Sequence, residues 1–234
     1  MRQGSRFKRL IAALLLLAGI AVGWGWLADR HPGWSAPIST AQRYSHASFE
    51  RWLAEQPGRS ADFVAFEHFL AGEGVSGVVP DWQLLRTDMN DRIGCPRPAF
   101  LLPPRRDWAN IVPALRLLRD HVIPVVGKVE VVSSYRSEGF NACVGGAGQS
   151  RHLSFSAVDL VAEAEIENRD LFTRLCALHG RLGPASRFGL GAYFDPASDG
   201  RNRRGRFHVD ATGFRSWGFS KQAQSSGCRL LAGG

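Results

Sequence analysis

The sequence predicts an α+β domain. Stretches with apolar residues at helical spacing and short β-branched stretches both occur, and they do not alternate regularly, which argues against a doubly wound sheet. With 234 residues, 44% hydrophobic and 21% charged, the chain has globular composition and can hold one sizeable domain, or one domain with a small appendage.

The first segment differs from the rest. Arg2, Arg6, Lys8 and Arg9 precede an almost unbroken apolar run from Leu10 to Ala28. A basic head before an apolar stretch is the pattern of an export signal or a membrane anchor. The run is long enough to span a bilayer, which favours an anchor, while Ala21 and Gly23 could serve a signal peptidase. Residues 1–28 are therefore expected to be a signal peptide or anchor, and residues 29–40, with two prolines and several Ser/Thr, a linker.

Helices come next, over residues 41–90. Phe49 to Leu53 and Asp62 to Leu70 have helical spacing, with Phe63, Phe66, Phe69 and Leu70 on one face, Ser60 as N-cap, and Gly72 and Gly74 as the stop. Arg92 to Arg106, rich in proline and arginine, reads as irregular. Ile111 to Val122 repeats Ile111, Leu115, Leu118 and Val122; Pro113 suits its first turn and Pro124 closes it. Val129–Ser133 and Ala157–Ala162 read as strands, Asp170–Leu182 as a helix ended by Gly183-Pro184, and Arg206–Ala211 as a third strand. The glycines at 145, 146, 148, 189 and 191 are expected between elements.

Several function classes lack support. No G-x-G-x-x-G follows a strand, and there is no P-loop and no G-x-S-x-G elbow. Half of the formal net charge of +8 sits in the basic head, and the cluster Arg201, Arg203, Arg204 and Arg206 carries no nucleic-acid motif. It reads as a solvated loop beside the site that an anionic substrate could feel. Cys95, Cys143, Cys176 and Cys228 form no Cys-x-x-Cys pair, which disfavours a cysteine zinc site. Behind an export-like segment they fit one or two disulfides, with the pairing open and free buried thiols as the alternative. His31, His46, His68, His121 and His179 have no ligand-spaced partner and read as structural or exposed.

The candidate chemistry lies in Ser150–Asp159 and Phe207–Asp210. Two imidazoles, His152 and His208, and one carboxylate, Asp159, suffice to hold a zinc ion with one position open for water. Fully extended, the seven-residue step from His152 to Asp159 would span about 23 Å, so the chain must fold back near Ser154–Ser156. On a strand, His208 and Asp210 share a face, which places Asp210 to orient a ligand or handle a proton.

The surroundings resemble the zinc D-alanyl-D-alanine carboxypeptidases and murein endopeptidases, a family that shares its fold with the vancomycin-resistance D,D-dipeptidases and the hedgehog signalling domain. The carriers are Ser133-Ser134-Tyr135-Arg136-Ser137, Asn141 with Gly145-Gly146-Ala147, Ser150-x-His152-Leu153, Ala157-x-Asp159, Phe207-His208-Val209-Asp210, and Ser216-Trp217. The resemblance covers about residues 95–220 and is nearest to the small exported branch ending in His-Val-Asp. It implies a small antiparallel sheet flanked by helices, with an N-terminal helical extension, and a catalytic domain over residues 91–234. By the same resemblance His152, Asp159 and His208 hold one zinc ion, Arg136 binds a substrate carboxylate or the oxyanion, and Ser133, Tyr135 and Ser150 contact substrate.

Two departures stand out. The family's glycine in the turn between His and Asp is Phe155 here, so either the turn differs or the ring lines the pocket. The acid that several branches place three residues before the last histidine is Gly205, which leaves Asp210 as the expected base and Asp195 or Asp199 as alternatives. The implied activity is hydrolysis of peptidoglycan stem peptides or cross-links outside the cytoplasm. Tethering to the inner membrane is expected if the first segment is retained, and no nucleic-acid partner is expected. The rival expectation is a catalytically impaired module of the same fold that binds the wall or another protein.

Overall fold

Strand pairing brings the distant motifs together. The computed structural model describes residues 39–89, 95, 98–195 and 205–233. The first segment and nearly all of the expected linker lie outside the described residues, as do Arg201, Arg203, Arg204 and Asp199. Among the described residues no helix is long and apolar enough to cross a membrane.

Helices α1 (Thr40–Arg43), α2 (His46–Ala54) and α3 (Arg59–Gly72) come first. Ser45 caps α2 by accepting from the Ser48 N–H. Ser60 does not cap α3: the helix starts two residues earlier, at Arg59 behind Gly58, which puts Ser60 in the first turn. Helix α4 (Val112–Leu117) continues through a π-helical turn (Leu118–Val122) into α5 (Ile123–Val126). Pro124 therefore does not end this helix. It lacks an N–H and its ring crowds the preceding turn; the π turn absorbs that clash, and the stop falls at Gly127. Helices α6 (Glu138–Cys143), α7 (Asn168–Leu182) and α8 (Gly227–Ala232) complete the set. Two disulfides, Cys95–Cys143 and Cys176–Cys228, use all four cysteines.

The strands β1 (Val129–Ser133), β2 (Ala157–Ala162), β3 (Gly189–Ala192), β4 (Phe207–Asp210) and β5 (Arg215–Trp217) form one sheet in the order β1-β2-β4-β3-β5. The sheet is mixed rather than wholly antiparallel, because β5 runs parallel to β3. Gly189 and Gly191, expected between elements, form part of β3.

One face of the sheet is apolar. Val158, Leu160, Leu190, Phe207 and Val209 join Phe66 and Leu70 of α3 and Leu171, Phe172 and Leu175 of α7 in a single core. That core draws on both the expected helical accessory region and the expected catalytic domain. The opposite face carries the chemistry, because side chains alternate along a strand. Asp159 faces His208 across β2 and β4, and His208 faces Gly191 across β4 and β3. Gly191 in turn pairs with Trp217. Ser133 joins this row through a bulge: the β1 register shifts between Val131 and Ser133, so that Ser133 pairs with Asp159.

Candidate metal centre

His152, Asp159 and His208 converge. His152 stands on the turn between α6 and β2, and the other two are direct cross-strand partners. His152 Nε2 lies 3.2 Å from His208 Nδ1 and 3.3 Å from Asp159 Oδ2, and His208 Nδ1 lies 2.9 Å from Asp159 Oδ1. Tetrahedral zinc with bonds of about 2.0–2.1 Å separates its ligand atoms by about 3.3 Å. The donor set fits that figure with little movement.

The outer nitrogens fix the tautomers. His152 Nδ1 is 2.6 Å from the Ser134 carbonyl, which can only accept, so Nδ1 carries the proton and Nε2 offers a lone pair. His208 Nε2 is 3.0 Å from Asp210 Oδ2 and donates to it, which leaves Nδ1 as the inward acceptor. Two imidazole lone pairs and a carboxylate thus face one another, an arrangement that calls for a cation. The titration shifts of the two histidines run in opposite directions. Burial pushes His152 down to about 4, and the Arg136 charge adds to this. Burial works against a charged His208 as well, yet the bonds to Asp159 and Asp210 hold its pKa above the usual value. Burial also opposes ionisation of Asp159, but His152 and Arg206 beside it keep its pKa well below the carboxylate range.

A cavity of about 420 Å³ opens over the three donors. Its wall includes Arg136, Ser150, Arg151, Tyr193, Trp217 and Lys221. Gly191 makes the site possible: a Cβ there would lie 2.7 Å from His208 Cβ and 2.9 Å from the Tyr193 hydroxyl oxygen. Gly189 does the same for Asp210, whose Oδ2 would be 2.4 Å from an added Cβ.

The remaining expected site residues have distinct places. Arg136 lines the cavity, gives Nη2 to Asp159 Oδ2 at 2.7 Å, and donates through Nε to Ser133 Oγ at 3.0 Å. Ser133 is fully buried, donates to the Thr87 carbonyl at 2.7 Å, and so holds Arg136 from behind. Tyr135 is half-buried and packs edge-on against Phe155. Asp210 is fully buried and lies on the far side of His208. Its Oδ1 accepts from the Thr212 N–H at 2.9 Å, and its Oδ2 from Arg215 Nη2 at 2.7 Å. Burial opposes its ionisation, but His208, Thr212 and Arg215 together hold its pKa far below the usual value. Asp195 lines a separate depression with Phe219 and Leu230.

Phe155 adopts φ 52°, the left-handed turn a glycine would take, and its ring is fully buried against Phe66 rather than lining the cavity. At Gly205 the backbone is also left-handed, and an added Cβ would strike Leu171 at 2.6 Å, so that position cannot point an acid at the site.

Two residues beside the donors escaped sequence reasoning. Arg206 Nη2 lies 2.5 Å from Asp159 Oδ2, and its Nη1 lies 3.0 Å from Asp88 Oδ1. The arginine sat inside a cluster that reads as solvated, and Asp88 had no motif around it. The one available signal was that Arg206 precedes His208 by two residues, on the same face of a strand.

Residues 84–182 match the family model of Peptidase M15. That segment contains Asp88, Arg136, His152 and Asp159 and ends before His208, which the sheet supplies. M15 peptidases depend on zinc, and His152, Asp159 and His208 form a group that could hold a metal ion. No curated protein and no solved structure matches the chain.

Proposed function

We propose that this protein is an exported zinc peptidase that hydrolyses stem peptides or cross-links of peptidoglycan. The observation that carries the reading is the convergence of three lone-pair donors at tetrahedral spacing beneath an open cavity. Zinc bound there supplies Lewis-acid polarisation of an amide carbonyl and activates water near neutral pH. His152, Asp159 and His208 hold it, and the Ser134 carbonyl and Asp210 fix the two rings. Arg136, at the cavity edge, binds a substrate carboxylate or the developing oxyanion.

Tyr193 also edges the cavity. Burial and the nearby Asp159 charge push its pKa up, against a hydrogen bond from Trp217 to its oxygen, so the phenol stays protonated beside the cavity. Asp210 is bound on all sides and serves as an orienting group for His208 in this reading, not as the base. The paired cysteines support an oxidising compartment outside the cytoplasm, and the basic and apolar first segment supports export or anchoring to the inner membrane.

The test is digestion of purified peptidoglycan with muropeptide mass spectrometry, with and without chelator, comparing wild type with His208→Ala. Release by the wild type alone, lost on chelation, supports the peptidase. Among the described residues the cavity wall has no carboxylate besides Asp159, which favours a second reading, a wall-binding module of the same fold. Stoichiometric zinc without cleavage would select that one.

A further inference from the structure

We infer that Asp88 and Arg206 are positioning residues for the metal centre, acting through Asp159. The carboxylate of Asp159 has two oxygens in different surroundings. Oδ1 faces His208 Nδ1, while Oδ2 takes Arg136 Nη2 at 2.7 Å and Arg206 Nη2 at 2.5 Å. Two guanidinium donors crowd Oδ2, which also lies 3.3 Å from His152 Nε2, and leave Oδ1 the freer oxygen to act as a ligand. They also pin the carboxylate plane, which would otherwise turn freely about its terminal torsion.

Two cations on one buried carboxylate would be unbalanced, and Asp88 balances them. Its Oδ1 lies 3.0 Å from Arg206 Nη1, and its Oδ2 lies 3.3 Å from Arg206 Nη2 and 3.1 Å from Arg136 Nη2. Arg206 is therefore gripped as a fork by Asp88 and presses its shared nitrogen onto Asp159. Two anions, Asp88 and the donor Asp159, and two cations, Arg136 and Arg206, make a neutral cluster. Asp88 is 4% exposed, and its segment is fixed independently of the site. Met89 N–H bonds the Val132 carbonyl at 2.8 Å, Ser134 N–H bonds the Arg86 carbonyl at 2.9 Å, and Thr87 Oγ1 donates to the Pro98 carbonyl at 2.7 Å. The carboxylate that orients both arginines thus stands on a rigid edge of β1.

The two outer-shell devices differ. Each histidine has one acceptor behind it, whereas Asp159 has two donors and a counter-anion. Removing Asp88 leaves Arg136 and Arg206 competing for Oδ2 and repelling each other. Removing Arg206 frees the carboxylate to rotate and leaves Asp88 with Arg136 alone.

The test measures zinc affinity of the full chain by chelator competition, with the visible spectrum of the cobalt-substituted protein alongside, for Asp88→Asn, Arg206→Gln, Arg206→Lys and the Asp88→Asn/Arg206→Gln pair. Each single variant is expected to weaken zinc binding about 10- to 100-fold and to change the cobalt spectrum, which reports ligand geometry. The pair is expected to lose less than the product of the two single effects, because one device is removed twice. Arg206→Lys keeps the charge but not the fork, so it is expected to fold and still bind weakly. If these variants fold with wild-type zinc affinity and an unchanged cobalt spectrum, the ion pairs are structural only and the inference is overturned. If the wild type itself binds no zinc, the metal reading above fails instead, which is a different result.

Discussion

Replacing Asp210 with asparagine separates an orienting role from a proton-transfer role. Asp210 accepts from five groups: His208 Nε2, the Thr212 N–H, the Thr212 hydroxyl, and both terminal nitrogens of Arg215. Asparagine has nearly the same shape but one acceptor oxygen. If that oxygen stays on Thr212, the amide NH₂ confronts His208 Nε2–H, donor against donor. His208 must then lose that proton and shift it to Nδ1, the atom that faces the metal, and its ligand lone pair disappears. Breaking a buried ion pair costs about 3–5 kcal/mol. Arg215 is 39% exposed, so water recovers part of this, and about 2 kcal/mol of lost stability is expected. Zinc affinity is expected to fall about 10- to 100-fold, as for other outer-shell partners of ligand histidines. The assays are chemical denaturation of the metal-free protein and chelator competition for zinc. Wild-type zinc affinity in Asp210→Asn, with turnover lost and one limb of its pH profile removed, would refute this reasoning and make Asp210 the base.

Other outcomes follow from the same geometry. Gly191→Ala gains about 0.5–1 kcal/mol of strand stability but costs about 1–3 through the contacts at His208 and Tyr193, so denaturation should show a small loss and chelator competition a clear fall in zinc affinity. Phe155→Gly relieves about 1–2 kcal/mol of left-handed strain yet loses a ring worth about 3–5, a net destabilisation of about 2–3 kcal/mol by denaturant midpoint; a stabilised variant would show that the ring packs poorly. The Cys176–Cys228 bond closes a loop with a sequence separation of 52, and replacing both cysteines with serine should cost about 4 kcal/mol in chain entropy. Burial lowers the pKa of His179, whose Nε2 bonds the Phe188 and Arg215 carbonyls, so the fold takes up fewer protons there than the unfolded chain. The stability this gives is present above about pH 6.5 and is lost as pH falls below it, and a melting profile against pH should become less steep there in His179→Gln, with the slope due to His152 remaining.

Much of the site was legible because its residues repeat a motif order. The three donors stand together as the Ser-x-His, Ala-x-Asp and His-Val-Asp segments imply. The strands at 129–133 and 157–162 were legible from β-branching. What escaped notice was built from residues that carry no periodic signal. Gly189 and Gly191 look like turn residues, yet they form β3 because the strand must pass close to His208 and Asp210. β5 spans only Arg215–Trp217, too short to show alternation. Pro124 has a strong reputation as a stop, and only the π turn before it shows why the helix continues. Phe155 holds a glycine's backbone angle because the core repays the strain through its ring. Asp88 and Arg206 are 118 residues apart and meet only through the sheet and the segment along its edge.

Titration of zinc into chelator-treated protein, followed by calorimetry, addresses the metal centre most directly. One zinc per chain is expected, with binding abolished in His152→Ala, Asp159→Ala and His208→Ala. Absence of binding in the wild type, or a wild-type isotherm in all three variants, contradicts the account.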